Sequence, residues 1–152
     1  MSALQLETRA EKYELEITID VPAEVVWKSL TQEVDAWWLG DFRMVGEGSV
    51  VTFDARAGGQ LIEAKEDGGS LLWYTVTLVQ PGECLHMVGH LAPDWGGPAT
   101  TMLHLALAEE GGKTKLTVKD ALFGALGETT ASSLKEGWQL LFGEGLKKHV
   151  EA

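Results

Sequence analysis

The reactive side chains of this sequence gather in its second half. His86 and His90 are four residues apart. On a helix that spacing aims both imidazoles at one metal ion. The segment Cys84-Leu85-His86-Met87-Val88-Gly89-His90-Leu91 reads as a strand instead. There the two rings share a face about 13 Å apart, at ~3.3 Å per residue, and cannot hold one ion together. His104, on the following strand, is placed to neighbour one of them, because opposed and diagonal cross-strand residues lie about 5–8 Å apart. Two imidazoles without a carboxylate or thiolate make a poor closed site, so no metal and no other cofactor is expected.

Asp120 is the candidate acid. Thr114, Leu116, Val118, Asp120 and Leu122 alternate onto one face, with Lys115, Thr117 and Lys119 on the other. An apolar face turned to a cavity makes Asp120 an inward carboxylate. Desolvation then raises its pKa and suits it to anchor a ligand or act as an acid. The competing reading leaves it at the strand's end, in solvent or capping a turn. Cys84 lies two residues from His86, but on a strand that is not a nucleophile–base pair, and no orienting acid is implied. Ser49, Ser70, Ser132 and Ser133 lack a nucleophile-elbow context. Gly46-Glu47-Gly48 leads into a strand and lacks the third glycine of a dinucleotide loop.

The elements that position these residues follow from periodicity. Lys12 to Asp20 read as a first strand, broken by Val21-Pro22. Val26, Trp27 and Leu30 then recur at helical spacing, with Pro22 in the first turn and Asp20 as the expected cap. A second short helix carries Val34, Trp37 and Trp38. From about Phe42 to Phe123 glycines, in pairs except at Gly82, divide six short runs: SVVTFDA, QLIEAKE, SLLWYTVTLV, CLHMVGHL, TTMLHLALA and TKLTVKDAL. These predict a meander of antiparallel strands, with a hairpin at Glu110-Gly111-Gly112-Lys113. From Glu128 to Val150 the helical period returns. Ala131, Leu134, Trp138, Leu141 and Gly145 form one stripe, widened by Leu140 and Phe142, with Thr129 and Thr130 as candidate caps.

The expectation is an α+β fold: a curved seven-strand antiparallel sheet around a long C-terminal helix, with two short helices after the first strand. One helix about 10 Å wide leaves a hollow under a concave sheet. Period-two alternation puts Trp73 and Tyr74 on opposite faces, one inside and one outside. The set of Trp73, Thr75, Thr77 and Val79 reads as cavity wall. Tyr74 falls with Leu72, Val76 and Leu78, which read as packing. Trp37, Trp38, Trp138 and Gly137 complete the expected ligand-binding residues, beside Trp73 and Asp120. Gly137, Gly143 and Gly145 each weaken the last helix by about 1 kcal/mol, a cost that points to close approach to the sheet or to ligand space, against a tolerated kink. Trp95 reads either as a cover over the cavity mouth or as packing on the sheet edge.

Composition narrows the function classes. The 152 residues carry 12 Lys and Arg against 23 Asp and Glu, a net charge of −11. That excess of acid argues against nucleic acid and anionic membrane surfaces as partners. Residues 66–112 contain no Lys or Arg. A chain of this size buries about 70% of its extended surface, enough for one core, and residues 1–152 read as one domain. A single cysteine excludes an internal disulfide. No apolar leader and no run of about 18 apolar residues is visible, so a cytoplasmic location is expected.

Several motifs resemble the SRPBCC or START-like superfamily of helix-grip fold, and most closely the domain homologous to the activator of the heat-shock-protein-90 ATPase. They are Ile17-Thr18-Ile19-Asp20-Val21-Pro22-Ala23 with Val26-Trp27 and Leu30-Thr31, Trp37-Trp38, Gly58-Gly59 with Glu63, Gly111-Gly112-Lys113-Thr114 with Leu116, and Glu136-Gly137-Trp138 with Leu141. The resemblance covers about residues 12–151 and implies a cavity for apolar or amphipathic small molecules. Some relatives are carriers or sensors, some polyketide cyclases or aromatases, and one lineage assists a chaperone. That lineage uses more chain for its partner, so a stand-alone co-chaperone is the less expected reading. The leading expectation is a non-enzymatic protein that binds a neutral or cationic apolar ligand. An enzyme acting on a polyketide-like substrate through Asp120 is the alternative, and a homodimer is left open.

Overall fold

In the computed structural model, which describes residues 3–152, seven strands form one antiparallel sheet in the order β1-β7-β6-β5-β4-β3-β2. They are β1 (Arg9–Ile19), β2 (Val50–Phe53), β3 (Gln60–Ala64), β4 (Ser70–Gln80), β5 (Cys84–Leu91), β6 (Ala99–Glu110) and β7 (Lys113–Gly124). Helices α1 (Ala23–Gln32) and α2 (Val34–Trp37) follow β1. The closing helix α3 runs from Thr130 to Glu151. This is the helix-grip arrangement that the order of elements predicts. All six runs of the meander form strands, and Gly111 and Gly112 turn β6 into β7 at φ 63° and 80°. Positive φ at both central residues is what a two-residue hairpin following the sheet's twist demands.

Strand alternation sends Leu103, Leu105, Leu116, Val118 and Leu122 inward, where they are fully buried. It breaks down in β4. Leu61 pairs with Tyr74 and Ile62 with Leu72, which leaves Trp73 as an extra residue in a β-bulge. A second irregularity lies between Val76 and Leu78. The bulge corrects the expected parity. Trp73 packs against the core beside buried Tyr74, while Leu72 and Leu78 face out at 49% and 36% exposure.

Two caps also differ from expectation. The N-cap residue of α1 is Pro22, which offers no side-chain bond; the first N–H, on Ala23, donates to the Glu109 carboxylate of β6 at 2.7 Å. Asp20 instead donates its backbone N–H to Glu151 at 2.7 Å. Neither Thr129 nor Thr130 caps α3 with its side chain. Thr130 Oγ1 accepts from Gly127 N–H at 2.9 Å and donates to the Gly96 carbonyl at 3.0 Å, which ties the helix to the β5–β6 loop.

The middle of α3, Leu141–Lys147, is π-helical. The wider turn shifts the phase of the stripe. Leu141, Phe142, Gly145 and Leu146 are all buried, and Leu140, expected on the stripe, is 48% exposed. A Cβ on Gly145 would lie 2.5 Å from the Trp37 carbonyl. The close approach expected of that glycine is therefore to the end of α2, not to the sheet.

Candidate functional site

The concave side of the sheet is filled by aromatic rings. Trp73 meets Trp38 edge-on at 5.2 Å. Trp38 lies 5.9 Å from Trp37, and Trp37 6.0 Å from Phe142. Phe142 stacks on Trp138 at 5.5 Å, and Trp138 lies 6.0 Å from Tyr74. The void left among Trp37, Trp38, Trp138 and Phe142 is about 20 Å³. The hollow expected along the whole helix is thus occupied by side chains of α2 and α3. Trp37 and Trp38 have no free donor: their indole N–H groups reach the carbonyls of Ser29 at 2.8 Å and Phe42 at 3.0 Å.

Space remains at one end, where a cavity of about 230 Å³ opens to solvent. Trp73 and Leu91 supply its wall from the sheet, and Gly137 and Trp138 from α3. Phe42, Met44 and Trp95 come from loops. Trp95 and Met44 are half-exposed at its rim. Among the described residues no ionisable side chain lines it, and Ser133 supplies the one hydroxyl. A Cβ on Gly137 would meet the Phe42 ring at 3.6 Å, an ordinary contact, so this glycine leaves space rather than permitting backbone contact.

The wall is held from behind by Glu63 of β3, which is fully buried. Its Oε1 accepts the Met44 N–H at 3.0 Å and the Trp73 indole N–H at 3.2 Å. Oε2 accepts the Val45 N–H at 2.8 Å and the Ser49 hydroxyl at 2.7 Å. The carboxylate thereby fixes the ring of Trp73 and the loop that carries Met44. None of the ion pairs among the described residues includes it. Arg43, in the same loop, binds Asp35 at 2.7 Å instead.

Residues 20–151 match the family described as activator of Hsp90 ATPase homolog 1-like protein. The chain belongs to that family. Solved structures share its fold: the Mll3558 protein from Rhizobium loti (20% identity, TM-score 0.71, covering 91% of this chain and 96% of that one), CV1439 from Chromobacterium violaceum (21%, 0.66, 93% and 97%), and CalU16 from Micromonospora echinospora (17%, 0.63, 97% and 84%). No curated protein matches the chain.

In this chain the site residues expected from sequence fall in three places. Trp73, Gly137 and Trp138 meet on the cavity. Trp37 and Trp38 lie in the core beside it. Asp120 is inward, 2% exposed, but outside the cavity wall. It accepts from Tyr13 Oη at 2.6 Å and from Thr101 Oγ1 at 2.5 Å, and Tyr74 Oη lies 3.4 Å from Thr101. Burial raises the Asp120 pKa against the two hydroxyls that lower it. Burial first, then the Asp120 charge, pushes both tyrosines well above the usual phenol range. The Trp138 indole N–H is buried with no partner among the described residues.

Among the histidines, His104 opposes His86 across β5 and β6, with the rings stacked at 3.6 Å and 6°. Parallel rings point their nitrogen lone pairs side by side rather than at one point. Phe42, Met44 and Leu91 carried no sequence signal as wall residues. Phe42 and Met44 sit in an irregular segment, where no period reports direction. Glu63 stood only as a family-like acid after a glycine pair, because its four donors, two backbone and two side-chain, come from other segments of the chain.

Proposed function

We propose that this protein binds a small apolar or amphipathic molecule without negative charge in the cavity between α3, Trp73 and Trp95. The observation that carries this reading is the wall, whose lining is aromatic and aliphatic with one hydroxyl and no ionisable group. Affinity for such a site comes mainly from apolar burial, at about 25 cal/mol per Å². Apolar cavities of about 150 Å³ accept a benzene ring, so about 230 Å³ suits one substituted ring or a branched chain of similar bulk. The exposed rim at Trp95 and Met44 offers an entrance.

Native mass spectrometry of freshly purified protein, with thermal shifts against naphthalene, indole and medium-chain alcohols, tests the reading. Stabilisation by at least one probe, lost on filling the cavity, is expected. No shift from any probe would overturn it.

The buried Asp120 favours a second reading, an enzyme that uses it as acid or base. Its carboxylate stands outside the wall with both oxygens occupied. Asp120→Asn preserves ligand binding under either reading and abolishes turnover only under this one.

A further inference from the structure

The charge around the cavity is unbalanced. Glu63 is a fully buried carboxylate held by four neutral donors, with no cation among the described residues paired to it. Removing a carboxylate from water is costly, and hydrogen bonds from uncharged groups leave its net charge in place. That charge bears on the cavity through two wall residues, the Trp73 ring and the Met44 backbone. An indole that donates its N–H to a carboxylate gains electron density on its ring. Such a ring attracts a cation over its face more strongly.

Four aromatic rings, Phe42, Trp73, Trp95 and Trp138, line this one cavity. No Lys or Arg lines it, and none occurs between residues 66 and 112. The chain's net charge of −11 draws cations toward any surface site. The wall also decides which kind of cation fits. A primary ammonium brings three N–H donors, and the lining offers one hydroxyl to receive them. An alkylated ammonium brings none and presents methyl groups to the rings.

From these observations we infer that the cavity takes a quaternary or fully alkylated ammonium group, held by cation–π contact with Trp73, Trp95 and Trp138 and balanced by the buried charge of Glu63. This deepens the proposed function and rests on its cavity.

Phenyltrimethylammonium and tert-butylbenzene have nearly the same shape and differ in charge. Their affinities for the full chain are compared by calorimetry, with the indole N–H signals followed by NMR. The cation is expected to bind about tenfold more tightly or better, and to move the Trp73, Trp95 and Trp138 signals but not that of Trp27, which lies outside the cavity. Trp95→Leu, at an exposed position, should cost the cation more affinity than the neutral probe and so reduce the preference. Trp73→Phe, which keeps a ring but loses the donor to Glu63, should reduce the preference. Equal affinities, or tighter binding of the neutral probe, would overturn the ammonium assignment and leave the apolar cavity standing. Binding that moves only Trp27, or no binding by either probe or by naphthalene, would overturn both.

Discussion

The Tyr13 hydroxyl donates to Asp120 Oδ2 at 2.6 Å from the neighbouring strand, and burial holds the shared carboxyl above the usual carboxylate range. A carboxyl whose pKa rises on folding favours the folded state when protonated. Its contribution is fully present below the unfolded value of about 3.9 and is lost as pH climbs through the higher folded value. Asp120→Asn removes this titration while keeping one acceptor for the hydroxyls. Urea unfolding at pH 4 and pH 7 should show wild type losing ground to Asp120→Asn as pH rises. A gap that moves the other way would reject the burial argument.

Glu63 is expected to matter more for local order than any other side chain near the cavity. Glu63→Ala leaves the Met44 and Val45 N–H groups and the Ser49 hydroxyl without their acceptor. Each orphaned buried group costs about 1–3 kcal/mol where water cannot replace the bond. Amide hydrogen exchange at Val45 should accelerate well beyond the global change, and Trp73 emission should shift to the red. Unchanged exchange at Val45 would mean that the loop is held by other contacts.

Two glycines in the π-helical turn of α3 predict opposite effects. Gly145→Ala places a Cβ 2.5 Å from the Trp37 carbonyl, so α2 or α3 must move, and stability falls. Gly143→Ala meets nothing within 4 Å. Losing glycine's backbone freedom there should stabilise by up to about 1 kcal/mol. Thermal melts of the two variants should fall on either side of wild type; two shifts of the same sign would contradict the contact geometry.

These residues also show where sequence reading reaches its limit. Gly111-Gly112 and the runs between the other glycine pairs report backbone preference, which is local, so the sheet and its order of elements were legible. Parity in β4 was not, because a bulge at Trp73 depends on pairing with β3 and leaves no mark in the run Leu71 to Val79. The phase of α3 was legible through Trp138 and lost at Leu140, where the π-helical turn begins. Trp37 and Trp38 read as core or cavity wall, and both rings lie in the core on the concave side. Sequence could not say that they fill it and push open space toward Phe42, Met44 and Trp95.

The stacked histidines predict an acid-side effect. Burial, then the charges of His86 and Lys119, push the His104 pKa down. The unfolded chain therefore takes up a proton that the folded ring resists, and stability falls as pH drops below about 6.5 before levelling under the folded value. His104→Phe keeps a ring against His86 and removes the titration. Melting curves between pH 7.5 and 5 should be flatter for the variant; an equal slope would place the pH response elsewhere.

Gly137 gives the most direct test of where a ligand sits. It lines the cavity, and a Cβ there meets the Phe42 ring at 3.6 Å without clash. Gly137→Ala should therefore stabilise α3 by up to about 1 kcal/mol through helix propensity. The added methyl also takes space from a cavity of about 230 Å³, so naphthalene should bind more weakly to the more stable protein. Gly137→Leu extends the same change and should block the probe altogether, with Trp73 and Trp138 no longer responding to it. Stability and affinity moving in opposite directions is a signature that general loosening of the fold cannot produce, since loosening lowers both. A stabilised Gly137→Ala that binds naphthalene as wild type does would move the ligand site away from this end of the helix.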